Sequence, residues 1–322
     1  MSTGARLFTA LVLIAGCKGE DFKEPQTLGG VSIAPETLNQ GRRVYVRLCA
    51  GCHGPDGKGT TTARTAAVPP RDLTLGRYKF LSPPASGVGL PTDEDLARSI
   101  RFGFDGTQMA PIAGTSDEEV MAVAHYVKTF SSRWRELRPD PPVAMPADPW
   151  THGTDAPGRE AAITRGYRVY HGVAQCWACH PGYASADALN VMVQQAVVES
   201  GETPLKKVPQ RADLGASAPV ETAFGKVLPP DFLGDKVRAA KTPEDFFRAV
   251  AAGIGGTPMP AWHDRLSARD LWAVVHYVRE LVRMRGTPRA QAWRLGIPAS
   301  PSTQGSRSTN GTTVGVSDRA RD

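Results

Sequence analysis

Two segments of the 322-residue chain have the form Cys-x-x-Cys-His: Cys49-Ala50-Gly51-Cys52-His53 and Cys176-Trp177-Ala178-Cys179-His180. They consume four of the five cysteines. Several chemistries compete for such a pattern. Zinc wants four ligands, and neither Cys2His set is completed by a Cys or His at finger spacing. A thioredoxin-like redox pair wants a strand–helix context that neither segment has. Disulfides at this spacing, twice over, are geometrically poor. Covalent attachment of c-type haem fits. A helical turn puts residues three apart on one face, so both thiols can reach the vinyl groups of one porphyrin and form thioethers. The histidine that follows is then positioned to place its imidazole on the iron. The expectation is two haem c groups, with Cys49, Cys52, Cys176 and Cys179 as thioether positions and His53 and His180 as axial ligands.

The two segments sit in an internal repeat, which decides the domain organisation. Thr92-Asp-Glu-Asp-Leu-Ala-Arg98 matches Thr242-Pro-Glu-Asp-Phe-Phe-Arg248 at an offset of 150. The same offset of 150 carries Gly106-Thr-Gln-Met109 onto Gly256-Thr-Pro-Met259. Ala122-Val-Ala-His-Tyr-Val127 pairs with Ala273-Val-Val-His-Tyr-Val278, and Gly41-Arg-Arg-Val-Tyr45 with Gly166-Tyr-Arg-Val-Tyr170. Prolines at 139, 141, 142, 146, 149 and 157 mark a stiff, extended linker between the copies. The chain therefore divides into 34–134 and 159–288, joined by a Pro-rich linker over 135–158. Residues 289–322, poor in large apolar side chains, are expected to be disordered.

Each copy carries helix-start chemistry. Thr92 with Asp95, Thr242 with Asp245, Ser116 with Glu119 and Ser267 with Asp270 pair a capping side chain with an acidic third position. Behind Ser116, Val120, Val123, Ala124 and Val127 recur at helical spacing. Leu271, Val274, Val275 and Val278 repeat that register behind Ser267. No alternating strand runs of useful length occur, so the expected fold class is mainly α. A sixth iron ligand must come from elsewhere in each copy. Met109 and Met259 occupy equivalent positions after a Gly-Thr turn, and their soft thioethers suit iron. Met121, Met192 and Met284 read as core filler.

With these motifs in place, the chain resembles a dihaem c-type cytochrome made of two tandem class I cytochrome c domains, over roughly 34–134 and 159–288. The resemblance implies that an N-terminal helix crosses the C-terminal helix of each domain. Gly41 and Tyr45 would then meet the helix bearing Tyr126, and Gly166 and Tyr170 the helix bearing Tyr277. It also places Pro69-Pro70-Arg71-Asp72-Leu73 and Pro229-Pro230-Asp231-Phe232 beside the haem. One departure is length. Met109 lies 56 positions after His53 and Met259 lies 79 after His180, so the second copy carries 23 extra residues near 183–225, which would cover the haem edge, dock a partner or, as the favoured expectation, form a surface loop. His125 and His276 are read as packing or surface residues. His171 and His263 stand as alternative axial ligands of the second haem, and His152 as linker.

The fifth cysteine lies in a different setting. An apolar run from Leu7 to Ala15 ends in Gly16-Cys17, too short to span a bilayer but suited to a signal-peptide core. Leu13-Ile14-Ala15-Gly16-Cys17 resembles the lipobox of bacterial lipoproteins, which implies cleavage of 1–16, a lipid anchor at Cys17 and a tether over 17–33. The expected location is the periplasmic side, tethered to a membrane. Charge adds little: 34–134 holds 12 basic and 10 acidic residues and 159–288 holds 16 and 13. No Lys/Arg cluster interleaves with aromatics, which excludes a nucleic-acid partner. The resemblance implies electron transfer between redox proteins such as a respiratory complex, an oxidase or a dehydrogenase. No acid–base pair suggests substrate chemistry, so an electron carrier is expected rather than an enzyme. A dihaem peroxidase would need one iron with an open sixth position, which the paired Met turns argue against. A cytochrome subunit of a larger respiratory complex is the further alternative.

Overall fold

The computed structural model describes residues 21–60, 68–150, 156–201, 203, 210–238 and 240–294. The expectations for Cys17, for the signal segment, for His152 and for the tail beyond residue 294 fall outside those residues. The first copy holds β1 (Gln26–Leu28), β2 (Val31–Ile33), α1 (Pro35–Leu48), α2 (Ala50–His53), a 3-10 turn (Leu73–Leu75), α3 (Asp93–Phe102), α4 (Asp117–Lys128) and α5 (Arg133–Glu136). The second holds α6 (Ala156–Arg168), a π turn (Val169–Val173), a 3-10 turn (Cys176–Ala178), α7 (Ala186–Glu199), α8 (Pro243–Ala252), α9 (Ala268–Met284) and α10 (Pro288–Arg294). The fold is mainly helical, as the periodicity predicts.

The capping residues act as their spacing predicts. Thr92 and Asp95, Ser116 and Glu119, and Thr242 and Asp245 form reciprocal capping boxes. Ser267 accepts from the Asp270 backbone, while the Asp270 carboxylate takes Arg165 of α6 instead. These caps fix where each helix begins and satisfy the amide at its third position.

One crossing organises each copy. α1 packs on α4 and α6 on α9, and both crossings are close because glycine lies at the contact. A Cβ on Gly41 would fall inside the Ala122 carbonyl and against the Tyr126 Cβ. A Cβ on Gly166 would do the same at Ala273 and Tyr277. Tyr45 meets Tyr126 at 5.3 Å between ring centroids, and Tyr170 meets Tyr277 at 5.4 Å.

Three expectations are corrected by the structure. Residues 26–33, read as tether, form a two-stranded antiparallel hairpin closed by Gly29 and Gly30, both at positive φ. Leu28 and Ile33 are buried there beside Trp134 and Leu38. Strands of three residues are too short to show alternation in sequence. The extra length in the second copy, read as a surface loop, contains α7, which buries Leu189 and Val193 completely. Burying such side chains stabilises by roughly 1.5–3 kcal/mol each, enough to hold the segment down. The tail is helical over its first residues, as α10.

The linker is extended but works as a strap. Asp140 accepts from the Val88 amide, and the Val143 amide donates to Ser82 of the first copy. Further on, Trp272 donates to the Pro146 carbonyl, His276 meets Asp148 at 2.7 Å and Trp150 donates to the Arg269 carbonyl of the second. The copies also touch directly through two related backbone bonds. The Asp105 amide donates to the Arg238 carbonyl (3.0 Å), and the equivalent Gly255 amide to the Lys79 carbonyl (2.8 Å). α3 and α8 line a cavity between the copies in which Asp95 pairs with Arg98 and Asp245 with Arg248.

Candidate functional site

Both Cys-x-x-Cys-His segments begin where the N-terminal helix of their copy ends. In the first, α1 runs through Cys49 into the single turn of α2, which carries Cys52 and His53. In the second, five residues lie between Tyr170 and Cys176 where three lie between Tyr45 and Cys49. The two extra residues are absorbed by the π turn and by Gln175, held at φ 47°. None of the four thiols is in a disulfide. Burial and the neighbouring Cys52 push the Cys49 thiol up to about 11, and burial pushes Cys176 up to about 12. A catalytic redox cysteine has its pKa lowered, so these thiols are not built for thiolate exchange. Among the described residues, no three His, Cys, Asp or Glu side chains gather to hold a bare metal ion.

The histidines are set by a matched pair of contacts. His53 Nδ1–H donates to the Arg71 carbonyl (3.2 Å), and His180 Nδ1–H donates to the Pro230 carbonyl (3.0 Å). A carbonyl only accepts, so in each ring Nδ1 carries the proton and Nε2 keeps its lone pair. Burial lowers both imidazole pKa values, which keeps that lone pair available. The proline segments thus lie against the histidines. A second pair anchors the chain just beyond: the Tyr45 hydroxyl donates to the Gly54 carbonyl and the Tyr170 hydroxyl to the Pro181 carbonyl. Phe232 adds a ring stacked on His180 at 4.9 Å.

The methionine loops are near copies. In the first, the Phe104 amide donates to the Met109 carbonyl, the Thr107 hydroxyl to the Phe104 carbonyl, and the Met109 amide to Thr107 Oγ1. In the second, Ile254, Thr257 and Met259 make the same three bonds. Gly103 and Gly253, at φ 58° and 77°, open the loops, and a Cβ at either would run into the loop's own backbone. The loop therefore holds each methionine in one backbone geometry, with the side chain half-buried.

The remaining histidines are placed otherwise. His125 lies near Asp93 and the buried Lys128, His276 pairs with Asp148, and His263 lies beside Asp264. His171, weighed as an alternative ligand, is fully buried, with Nδ1 at the Tyr167 carbonyl (2.7 Å) and Nε2 at the Gly182 carbonyl (2.5 Å). Both ring nitrogens face backbone carbonyls in the core, and the neutral ring donates its one proton to one of them, so neither nitrogen is directed at an iron.

Arg211 is a residue that sequence reasoning missed. From the extra segment it donates to the Trp177 carbonyl (2.9 Å) and the His180 carbonyl (2.7 Å), and the Ala218 amide reaches the Cys179 carbonyl (2.8 Å). The extra segment thus clamps the second attachment motif by its backbone. Nothing in its composition marked it, because a lone arginine in a polar stretch looks solvated.

The family model described as cytochrome c oxidase, cbb3-type, subunit III matches residues 36–127 and again residues 161–278. Each matched stretch contains one Cys-x-x-Cys-His segment and one Gly-Thr-x-Met loop. Among solved structures, the chain is similar to a reducing HAO-like protein complex of Kuenenia stuttgartiensis. The TM-score is 0.57 and the identity 29%, over 76% of this chain and 96% of that one. Among curated proteins nothing matches.

Proposed function

The chain belongs to the family of the cytochrome c oxidase, cbb3-type, subunit III, and on that premise we propose that it carries electrons through two covalently bound haem c groups. The family itself implies haem c and electron transfer; two sites, their ligands and the division into modules at 34–134 and 159–288 are our reading. Cys49 and Cys52 would hold one haem and Cys176 and Cys179 the other. His53 with Met109, and His180 with Met259, would be the axial pairs.

The residues present fit that group. Each copy offers two unpaired thiols, an imidazole with a bare Nε2, and a methionine on a loop fixed by three hydrogen bonds. The doubled histidine–carbonyl contact carries the reading most directly, because it fixes the ligating tautomer in both copies. When bound, haem supplies a one-electron iron couple, and His/Met ligation raises its potential. The chain does the rest. His53 and His180 are oriented through their outer nitrogens, which sets ring direction and basicity. The two Met loops keep a strong sixth ligand at hand, which disfavours peroxide turnover. Tyr45, Tyr170 and Arg211 hold the attachment segments in place. We further propose export with lipidation at Cys17, and redox proteins as donor and acceptor. No helix among the described residues is long and apolar enough to cross a membrane.

A second reading, a subunit that passes electrons within a larger assembly, is favoured by the similarity to a chain of a multi-protein HAO-like complex. One experiment tests the common core. The purified holoprotein should carry two haems per chain by pyridine haemochrome, both low-spin with the Met–iron band. Met109→Ala and Met259→Ala should each remove half of that band. A high-spin component with peroxide turnover in the unaltered protein would overturn the carrier reading.

A further inference from the structure

Phe224 stands at the end of the extra segment of the second copy, and its ring lies against the first. The Arg71 guanidinium sits 3.9 Å over that ring and the Lys79 ammonium 4.9 Å from it. The counterpart stretch of the first copy, Thr60 to Val68, contains no aromatic residue. The ring is held from its own side. The Ala223 amide donates to the Gly256 carbonyl (2.9 Å), and Gly256 has no room for a Cβ because the Phe224 ring occupies that space. Phe224 is therefore seated on the second copy and presents its π face to two cations of the first.

Both cations share that ring, and it is the attractive side-chain partner that Arg71 and Lys79 have in common. Lys79 also faces Arg71 and Arg238, and burial together with these two charges lowers its pKa. Cations gathered against one another drift apart unless something holds them. A ring face attracts each of them, and more strongly where water is excluded. Arg71 is also no bystander, since its carbonyl receives the His53 Nδ1–H. Its backbone stays pinned whatever the side chain does, because the Leu73 amide donates to the Gly57 carbonyl (2.8 Å) and Asp72 caps Thr74.

We propose that Phe224 is a positioning residue through which the second copy sets the potential of the first haem, by holding the Arg71 charge beside the His53 site. A fixed, half-desolvated cation favours the reduced, less positive iron centre and raises its potential; released into water, it is screened. The ring packs on Gly256 of the Met259 loop but takes no part in the three hydrogen bonds that shape that loop, and both cations lie on the first copy, so the first haem feels its loss more than the second.

The inference rests on the two-haem reading, so the holoprotein is first counted by pyridine haemochrome; fewer than two haems per chain overturns both. Both haems are then followed by spectroelectrochemical titration, the first being assigned by its response to Met109→Ala. Phe224→Leu keeps apolar volume and loses the π face. It should lower the first midpoint by more than it moves the second, whereas Phe224→Tyr should retain the unaltered values. Arg71→Gln should lower the same midpoint, and by less when Phe224→Leu is already present. With two haems bound, an unchanged first midpoint in Phe224→Leu overturns the inference, as does an equal Arg71→Gln shift in both backgrounds.

Discussion

The two copies share a crossing, a histidine contact and a methionine loop, yet they are packed differently. The first keeps two separate clusters, one around Leu38, Leu90 and Trp134 and one around Tyr45, Leu73 and Val123. The second is one continuous core, from Tyr170 and Trp177 through Leu189 on α7 to Phe247 and Trp272. The difference follows from chain length between histidine and methionine. With extra residues to spend, the second copy covers its attachment segment with α7 and Arg211. The first leaves Cys52 exposed. The features that stay the same are those that the ligand chemistry needs, and the features that vary govern coverage and the fit between copies.

The largest expected effect tests what is common. Gly41→Val and Gly166→Val both force a branched side chain into a backbone carbonyl. Overpacking of this kind costs about 3 kcal/mol or more. Urea denaturation should give similar losses for both, and one silent variant would break the equivalence of the two crossings.

Acid should separate the copies next. Burial holds the His171 pKa down at about 4, against an ordinary value of about 6.5. Its counterpart in the first copy is Val46. Between those two pH values the unfolded chain binds a proton that the folded one does not. Stability of the second copy is therefore complete above about pH 6.5 and falls as pH drops toward 4, by about 3 kcal/mol. Chemical denaturation between pH 7 and 4 should show this loss, and His171→Gln should flatten the profile. An unchanged slope in that variant would assign the acid arm elsewhere.

The smallest effect sharpens the role of the extra segment. Arg211→Ala leaves the Trp177 and His180 carbonyls without their partner, a cost of about 1–3 kcal/mol. Denaturation followed at the second haem should shift, and the first should not. Equal shifts at both would mean that the copies unfold as one unit.

Much of this was legible before any coordinates. The Cys-x-x-Cys-His pairs, the offset repeats and the capping residues are short-range patterns, and local chemistry decides them. The glycine–tyrosine crossing was legible too, because only a side chain of no size lets two helices touch. The hairpin at 26–33 escaped notice because three-residue strands leave no periodicity. α7 escaped because its apolar residues lie in a stretch whose only visible property was surplus length. His171 could be set aside only once both nitrogens were found on carbonyls.

The sequence by itself determined that this chain has two Cys-x-x-Cys-His segments on one repeated helical scaffold. That information is written in contiguous residues whose spacing matches a helical turn or the reach of a side chain. Only the tertiary structure decided that Arg71 and Pro230 orient the histidines and that Arg211 clamps the second motif. It alone placed Phe224 of one copy under the cations of the other. Those contacts join residues 18 to 153 positions apart, and no local rule of spacing reaches across such a gap until the chain has folded.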